Sequence, residues 1–351
     1  MNDKASSLIS LHNEKTILTI DLFGGAITNF YLKSIGINPL SFVFSKEQMP
    51  DNNKEGAPYK GHFLCLGRWG EPSAGEINAG VPNHGQVANI LWDLEKKSVQ
   101  NTLEIKATAS LEGLRVNRKI ILDEDNSVFV VKEVIQNFGS LGRLYNMVQH
   151  PTLAAPFLDQ DTIVDCNAGL GFDQAFYKQI GSNTLHWPFA KNDKQNEIDL
   201  RKSSEPYNAV FSFAIKKDDE YGWLTAFAPK HNLLFGYVWK RSDYPWIHLW
   251  QHYADGIIQY RGIEFGTAGI HQPFNEILNT ASILFDEKTL AFIDAGESIT
   301  KNYFSFIYNT DVRCEGVEDI NIVNDQIQIT TKKGADIIFK SISKLIDGLS
   351  K

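Results

Sequence analysis

Four polar residues, far apart in the chain, have the side-chain types needed for acid–base chemistry. They are Arg68 in Gly67-Arg68-Trp69-Gly70, His84 in Asn83-His84-Gly85, His150 in Gln149-His150-Pro151, and Glu264 in Ile263-Glu264-Phe265. A carboxyl group that is partly withdrawn from water has a raised pKa and can accept a proton near neutral pH, and an imidazole can donate one. The chemistry requires a fold that brings these residues together.

Glu264 lies in a short segment that alternates between the two faces of a predicted strand. Its neighbours Ile263 and Phe265 are apolar, so its side chain must point the opposite way. Two positions satisfy this pattern, an exposed outer face or a polar cleft. Taken alone, a strand Glu favours the exposed face, and the flanking Gly262 and Gly266 shift this preference a little toward the cleft, because glycine permits close approach by a ligand or by another part of the backbone.

The two histidines are predicted at accessible places. Pro151 is expected to stop the strand that contains residues 145–149, which would leave His150 at a strand end or sheet rim. His84 is predicted in a loop beside Gly85. His248 and His252 have the i,i+4 spacing of a helical metal pair, but their segment is typical of a strand. No metal or cofactor site is predicted.

Short strand-like runs separated by turn residues dominate the chain. The segment 103–109 alternates apolar and polar residues, and similar runs recur at 114–122, 127–136, 209–215, 223–227 and 233–239. This pattern predicts an all-β fold, a large antiparallel twisted β-sandwich. The polar segment 158–202 is predicted as a long connection, either a binding loop or a plain surface excursion.

No repeat or linker divides the chain, so residues 1–351 are predicted to form one domain. The end of the chain, 319–351, has a different character and is interpreted as an appended segment. Within it, 321–323 and 326–330 are predicted strands, and 335–349 is predicted as a strand followed by a short helix.

Composition narrows the classes of partner. The net charge of −8 argues against a nucleic-acid partner and against a polybasic membrane anchor. The three cysteines form neither a disulfide framework nor a zinc pattern. The amino terminus lacks a signal-peptide pattern and no apolar run reaches membrane-spanning length, so a cytoplasmic location is the default expectation. A small neutral molecule fits these features.

The ordered set of motifs resembles the aldose 1-epimerase, or galactose mutarotase-like, superfamily. The similarity covers about residues 14–310: a strand, Gly24-Gly25 and another strand, then Gly67-Arg68, His84-Gly85, Gln149-His150 and Ile263-Glu264-Phe265. The resemblance implies a large β-sandwich with a sugar-binding cleft across one sheet. It implies that Glu264 is the general base for the sugar C1 hydroxyl and His150 the general acid for the ring oxygen. His84 and Arg68 would bind the sugar, and no cofactor would be needed.

Two departures from the family pattern concern substrate binding. Asn208, in Tyr207-Asn208-Ala209-Val210-Phe211, stands where an Asp is usual, and Trp69-Gly70-Glu71 replaces the usual continuation after Arg68. Asn208 would still bind a hydroxyl, and Trp246 or Trp250 would offer a stacking face or else pack in the core. Two alternatives stay open: a non-catalytic sugar-binding protein, and a glycan lyase or hydrolase that uses Tyr253 or Tyr260. Epimerase activity predicts that Glu264 and His150 face each other across one cleft, separated by a pyranose ring.

Overall fold

The fold consists almost entirely of antiparallel β-strands. The computed structural model describes residues 7–97, 101–192 and 194–340. The first half of the chain contains β1 (Leu8–His12), β2 (Thr16–Asp21), β3 (Ala26–Leu32), β4 (His62–Gly67), β5 (Asp93–Lys97), β6 (Thr102–Ala109), β7 (Leu114–Leu122), β8 (Val128–Asn137), β9 (Arg143–Ala154), β10 (Ile163–Cys166), β11 (Ala168–Asp173), β12 (Leu185–His186) and β13 (Phe189–Lys191).

The described part of the second half of the chain contains thirteen further strands. They are β14 (Glu197–Asp199), β15 (Ala209–Ile215), β16 (Tyr221–Ala228), β17 (Leu233–Lys240), β18 (Trp246–Ala254), β19 (Ile257–Gly266), β20 (Ile283–Leu284), β21 (Glu287–Lys288), β22 (Ala291–Ile293), β23 (Ser298–Asn309), β24 (Val317–Val323), β25 (Gln326–Thr331) and β26 (Ile337–Phe339). Two short α-helices, α1 (Ala74–Asn78) and α2 (Phe274–Thr280), and 3-10 turns at Asp51–Asn53, Gln86–Ala88, Gln174–Ser182 and Pro229–His231 lie in connections.

Two large sheets form the body of the molecule. The larger runs in the order β1-β2-β3-β4-β9-β19-β18-β15-β11-β12-β13-β14, with β22 also paired to β9. The second runs β10-β16-β17-β23-β8-β7-β6-β5. Apolar side chains on the facing surfaces form the main core, as on β6, where Leu103 and Ile105 alternate with partly exposed residues. The predicted all-β antiparallel sandwich is confirmed.

The segment 158–202 is more ordered than the sequence indicated. It contains β10 to β14, four of which extend the larger sheet and one of which joins the smaller. The prediction of one long connection was therefore wrong. These strands are only two to six residues long, and such short elements carry too few residues for a clear alternation of apolar and polar positions.

The carboxyl-terminal strands β24, β25 and β26 form a separate three-stranded sheet. Its apolar face packs against the outer face of the eight-stranded sheet, where Ile320 and Ile329 join a cluster with Val130 and Phe306. The strands predicted at 321–323 and 326–330 are confirmed. The helix predicted toward residue 349 lies outside the described residues.

Asp165 ties this small sheet to the body. Its carboxylate accepts hydrogen bonds from Arg201, Lys332 and the backbone N–H of Val317. Within the described ranges, no helix has the length and apolar character needed to cross a membrane.

Candidate active site

A pocket opens on the face of the larger sheet that lies away from the sandwich core. The adjacent strands β4, β9, β19, β18 and β15 form its floor, and the connection from β3 to β4 forms a wall. The cavity has a volume of about 190 Å³. Its lining is mainly aromatic and imidazole: Phe42, Phe44, Gln48, Pro50, Tyr59, Phe63, Trp69, His84, His150, Val210, Trp250, Glu264 and His271.

Glu264 projects into this pocket from the middle of β19. Ile263 and Phe265 point into the main core, so the face predicted for Glu264 is the one it occupies. The carboxyl is only 1% exposed, which excludes the alternative of an exposed strand residue. Its Oε2 accepts a hydrogen bond from the indole Nε1 of Trp69 at 3.3 Å. Burial raises the pKa of Glu264 well above its usual value, and the Trp69 bond only partly offsets this.

Gly262 makes room for this carboxyl. Residues 262 and 264 lie on the same face of β19, because side chains alternate along a strand. A Cβ at position 262 would lie 2.7 Å from Oε1 of Glu264 and 3.1 Å from Cβ of Trp250. The absence of a side chain at Gly262 therefore allows Glu264 to lie over the strand, as the glycine flanks indicated.

His150 lies directly beside Glu264 on the neighbouring strand. The pairing of β19 with β9 has the same register before and after this point, with Gly262 opposite Thr152 and Phe265 opposite Gln149. That register places Glu264 opposite His150, and Nε2 of His150 is 3.2 Å from Oε1 of Glu264. The two side chains are therefore in direct contact on the pocket floor.

The strand that holds His150 continues past Pro151. β9 runs through to Ala154, and Pro151 pairs with His62 on β4. The expectation that Pro151 ends the strand was wrong. Proline removes one N–H donor, and the β9–β19 pairing is interrupted at His150 and Pro151; it resumes at Thr152. His150 is thus central in the sheet and not at its rim.

The environment of His150 keeps its ring neutral. The ring stacks on Phe63 with centroids 4.3 Å apart, and Nδ1 is 3.1 Å from the hydroxyl of Thr152. Burial lowers the pKa of His150 to about 3. Since the Thr152 hydroxyl can donate or accept, it can satisfy Nδ1 whichever ring nitrogen carries the proton.

His84 is held in the loop after β4 by backbone hydrogen bonds. Its N–H donates to the carbonyl of Gly70, and the N–H of Gly70 donates to Nδ1, each at 3.1 Å. Because Nδ1 accepts this hydrogen bond, the neutral ring carries its proton on Nε2 and can donate a hydrogen bond there. His84 has φ of 60°, a left-handed conformation that is uncommon outside glycine. Burial lowers its pKa well below the usual value.

Arg68 does not line the pocket. It is buried, forms an ion pair with Glu76 and lies over the ring of Phe274, 4.1 Å from the centroid. Glu76 is in position because Ser73 and Glu76 form the capping box at the start of α1. The neighbour of Arg68, Trp69, reaches the pocket instead.

Asn208 and Trp246 also lie away from the pocket. Asn208 is exposed and exchanges two hydrogen bonds with the backbone of Tyr253, at 2.8 and 3.1 Å. Val210, two residues later in β15, lines the cavity. Trp246 is completely buried beside Phe172 and donates to the carbonyl of Lys288, so its rings offer no stacking face. The alternative Trp250 does line the pocket.

His271 is the main pocket residue to which the sequence gave little weight. It follows β19 in a loop, and its ring packs against Trp69 with centroids 4.6 Å apart. Gly70, with φ of 87°, leaves the space in which this ring lies. Four aromatic residues between 42 and 63 were a usable signal for a covering wall, since they are concentrated in and beside one connection.

His248 lies on a strand, as expected, and its Nδ1 is 2.8 Å from the hydroxyl of Ser212. In residues 7–97, 101–192 and 194–340, no group of three or more His, Cys, Asp or Glu is arranged to hold a metal ion.

The geometry suits proton transfer to and from two atoms close to each other. The sequence hypothesis required Glu264 and His150 to face each other across a pyranose ring, and they do not. They lie side by side, so a ligand must sit over the pair. A base and an acid in this arrangement can contact two oxygens attached to one carbon.

Comparison with known proteins identifies the fold. No family model matches the chain, and no curated protein matches it by sequence. Among solved structures, a galactose mutarotase-like protein from Clostridium acetobutylicum has a TM-score of 0.61 at 15% identity, covering 88% of this chain and 97% of that one. A galactose mutarotase-related enzyme from Lactobacillus acidophilus has a TM-score of 0.59 at 12% identity, over 87% and 98%.

A provisionally assigned aldose 1-epimerase from Klebsiella pneumoniae has a TM-score of 0.57 at 14% identity, over 87% of this chain and 88% of that one. The fold is therefore that of galactose mutarotase-like proteins. At these identities the similarity concerns the fold, and a function must be argued from the pocket.

Proposed function

We propose that the protein interconverts the anomers of a free sugar by opening and reclosing its ring. The observation that carries this proposal is the contact between Glu264 and His150 at 3.2 Å on the floor of a mostly apolar pocket. The C1 hydroxyl and the ring oxygen of an aldose share one carbon, so a base and an acid that serve them must be neighbours. A buried carboxyl with a raised pKa suits the first role.

The steps require two protons and no other reactant. Glu264 takes the proton of the C1 hydroxyl, while His150 gives a proton to the ring oxygen. The bond between C1 and the ring oxygen breaks, and the C1 carbonyl forms. After C1 rotates, Glu264 returns its proton to the carbonyl oxygen and His150 takes one from the hydroxyl that attacks the other face.

Burial supports this exchange because it makes one state of the pair stable without substrate. Burial raises the pKa of Glu264 and lowers that of His150, so one transferable proton rests on the carboxyl. That is the protonation state left after ring opening. The direct contact lets the proton pass back to the imidazole before the next opening. Trp69, whose N–H bonds to Glu264, and His84, whose Nε2 carries the ring proton, also line the pocket and offer donors to a bound sugar.

A non-catalytic sugar-binding protein is the second candidate. Arg68 and Asn208 both make hydrogen bonds outside the pocket, which removes two groups that would hold sugar hydroxyls. A glycan hydrolase is less well supported, because paired carboxylates are its usual requirement, and Glu264 is the one carboxylate that lines this pocket. Tyr253 donates to the carbonyl of Gly256 outside it. The cytoplasmic location stays a prediction.

Exchange spectroscopy by NMR on a panel of aldoses tests the proposal, because it measures anomer interconversion at equilibrium. We expect acceleration for at least one sugar, and loss of at least about 10²-fold in Glu264→Gln, which keeps the shape but removes the base. Asn208→Ala is the matched control and should retain full activity. Acceleration that survives Glu264→Gln would reject the role of Glu264, and sugar binding without any acceleration would favour the second candidate.

A further inference from the structure

The pocket has two chemically different halves on either side of the proton-transferring pair. One half contains imidazole rings: the centroid of His84 lies 5.5 Å from that of His150 and 6.1 Å from that of His271. The other half is apolar. In it the ring of Trp250 lies 6.2 Å from Phe42 and 6.3 Å from Phe44, and Val210 is directly opposite Trp250 across the β15–β18 pair.

The apolar half offers few hydrogen-bonding groups to a ligand. The hydroxyl of Tyr59 already donates to the carbonyl of Asn83 at 2.8 Å and contacts Asn53. Gln48 lies exposed at the pocket mouth, where its Oε1 accepts the N–H of Ser45. A ligand hydroxyl turned toward Phe42, Phe44 and Val210 would lose its bonds to water without replacement.

The loss of hydrogen bonds from a buried ligand hydroxyl to water affects which sugars the pocket favours. Burying a hydroxyl without a partner costs about 1 to 3 kcal/mol in proteins, whereas burying a methyl group is favourable. The sugar must therefore turn its hydroxyls toward His84 and His271, and an apolar group toward the opposite wall. A hexose carries a C6 hydroxyl that a 6-deoxyhexose lacks, so only the deoxy sugar can turn its C6 group toward the apolar wall without leaving a hydroxyl unpaired there.

We propose that the substrate is a neutral deoxy sugar, in its simplest form a 6-deoxyhexose. Its reacting carbon lies over Glu264 and His150, and its methyl group packs against the wall formed by Phe42, Phe44, Val210 and Trp250. This inference rests on the proposed anomer exchange and adds a substrate class to it.

Charge excludes the phosphorylated and acidic sugars. The pocket lining contains no lysine or arginine, and Arg68 is already paired with Glu76. An anion in the cavity would lie near the carboxyl of Glu264 with no cation to offset it.

Matched sugar pairs that differ only in the C6 hydroxyl test the proposal. Suitable pairs are 6-deoxy-D-galactose with D-galactose, 6-deoxy-D-glucose with D-glucose, and 6-deoxy-L-mannose with L-mannose, with D-glucose 6-phosphate as the charged probe. For at least one pair we expect kcat/KM about 10- to 100-fold higher for the deoxy sugar, since an apolar pocket rejects an added hydroxyl by at most about 10²-fold. Equal or reversed values for all three pairs would overturn the proposal, as would turnover of the phosphate.

Binding to the Glu264→Gln variant separates this proposal from the epimerase proposal. Tryptophan fluorescence reports binding, because Trp69 and Trp250 line the pocket. A preference for the deoxy sugars in binding, with no exchange by the unaltered protein, would reject the reaction and retain the substrate class. Exchange without a preference would retain the reaction and reject the substrate class. If the protein showed neither binding nor exchange, both proposals would be rejected.

Val210→Thr then tests the apolar wall directly. Threonine has nearly the same shape as valine but places a hydroxyl where a C6 hydroxyl could bond to it. We expect the preference for the deoxy sugar to narrow several-fold. Val312→Thr, at a position that is 83% exposed, is the matched control and should leave the ratio unchanged. An unaltered ratio in Val210→Thr would show that the C6 group does not lie at this wall.

Discussion

Gly262→Ala should impair the reaction by displacing the carboxyl of Glu264. The added methyl group would lie 2.7 Å from Oε1 of Glu264, well inside van der Waals contact. Gly262 itself cannot retreat, because its strand is paired with Trp250 on one side and Thr152 on the other. The free end of the Glu264 side chain is the part that moves.

The size of the effect follows from the contacts that this movement breaks. A shift of about 1 Å at Oε1 would lengthen its contact of 3.2 Å with Nε2 of His150 beyond hydrogen-bonding distance. Misplacement of this order costs about 10²-fold in rate, equivalent to about 2.7 kcal/mol of barrier. Stability should change less, because replacing a strand glycine gains about 0.5–1 kcal/mol of chain entropy, which partly offsets the crowding.

Anomer-exchange kinetics and urea unfolding measure the two quantities separately. We expect kcat to fall about 100-fold, and the free energy of unfolding to change by less than about 2 kcal/mol. Gly75→Ala, at a position in α1 with open space around it, is the matched control: it should leave kcat unchanged and raise the free energy of unfolding by no more than about 1 kcal/mol. Full activity in Gly262→Ala would refute the argument that this glycine positions the carboxyl of Glu264. An unfolded variant would refute the argument that the Glu264 side chain moves while the strand keeps its place.

Three further predictions concern pH and the pocket loop. Because the pair works with one proton that rests on Glu264, whose pKa burial raises, kcat/KM should fall as pH rises through a midpoint well above 4.5, where that proton is lost; a loss of activity as pH falls through that midpoint would contradict the shared-proton assignment. Burial lowers the pKa of His62 to about 3, so the unfolded state binds its proton first as pH falls below about 6.5. Urea titrations should show a loss of about 1.4 kcal/mol per pH unit from this group, so the pH slope should be smaller by that amount in His62→Gln; an unchanged slope would contradict the prediction. Glu112, whose pKa burial raises to about 7, accepts the N–H of Gln86 beside His84. Glu112→Ala should therefore lower kcat/KM about tenfold, whereas Glu112→Gln, which keeps the acceptor, should not; equal loss in both would show that the bond is unimportant.

The fold and the face of Glu264 were predictable because both follow from local alternation. Ile263 and Phe265 enter the core, so the position between them must face the other way, whatever the rest of the chain does. The motifs around His84 and His150 likewise indicated residues that the fold brings to one pocket. The three-dimensional contacts of each side chain were not contained in these patterns.

The positions of Arg68, Asn208 and Trp246 depended on long-range contacts that periodicity does not describe. Arg68 lies over the ring of Phe274, and Asn208 pairs with the backbone of the adjacent strand β18. Trp246 and Trp250 lie on the same face of β18, but the carbonyl of Lys288 lies over the first of them. Alternation predicts which face of a strand a residue lies on. Whether other parts of the chain cover that residue depends on segments that are distant in sequence.

Arg68 lies outside the pocket, and this affects the pKa values of the proton-transferring pair, Glu264 and His150. A guanidinium directed at Glu264 would lower the pKa of that carboxyl and make it a weaker base. Glu76 instead holds Arg68 in an ion pair, and the lining of the described pocket contains no other cation. Burial therefore dominates, with a raised pKa at Glu264 and a lowered pKa at His150. The absence of Arg68 from the pocket lining and the proposed neutral resting state of the pair are thus both consistent with the Arg68–Glu76 ion pair. Both favour an uncharged, partly apolar substrate.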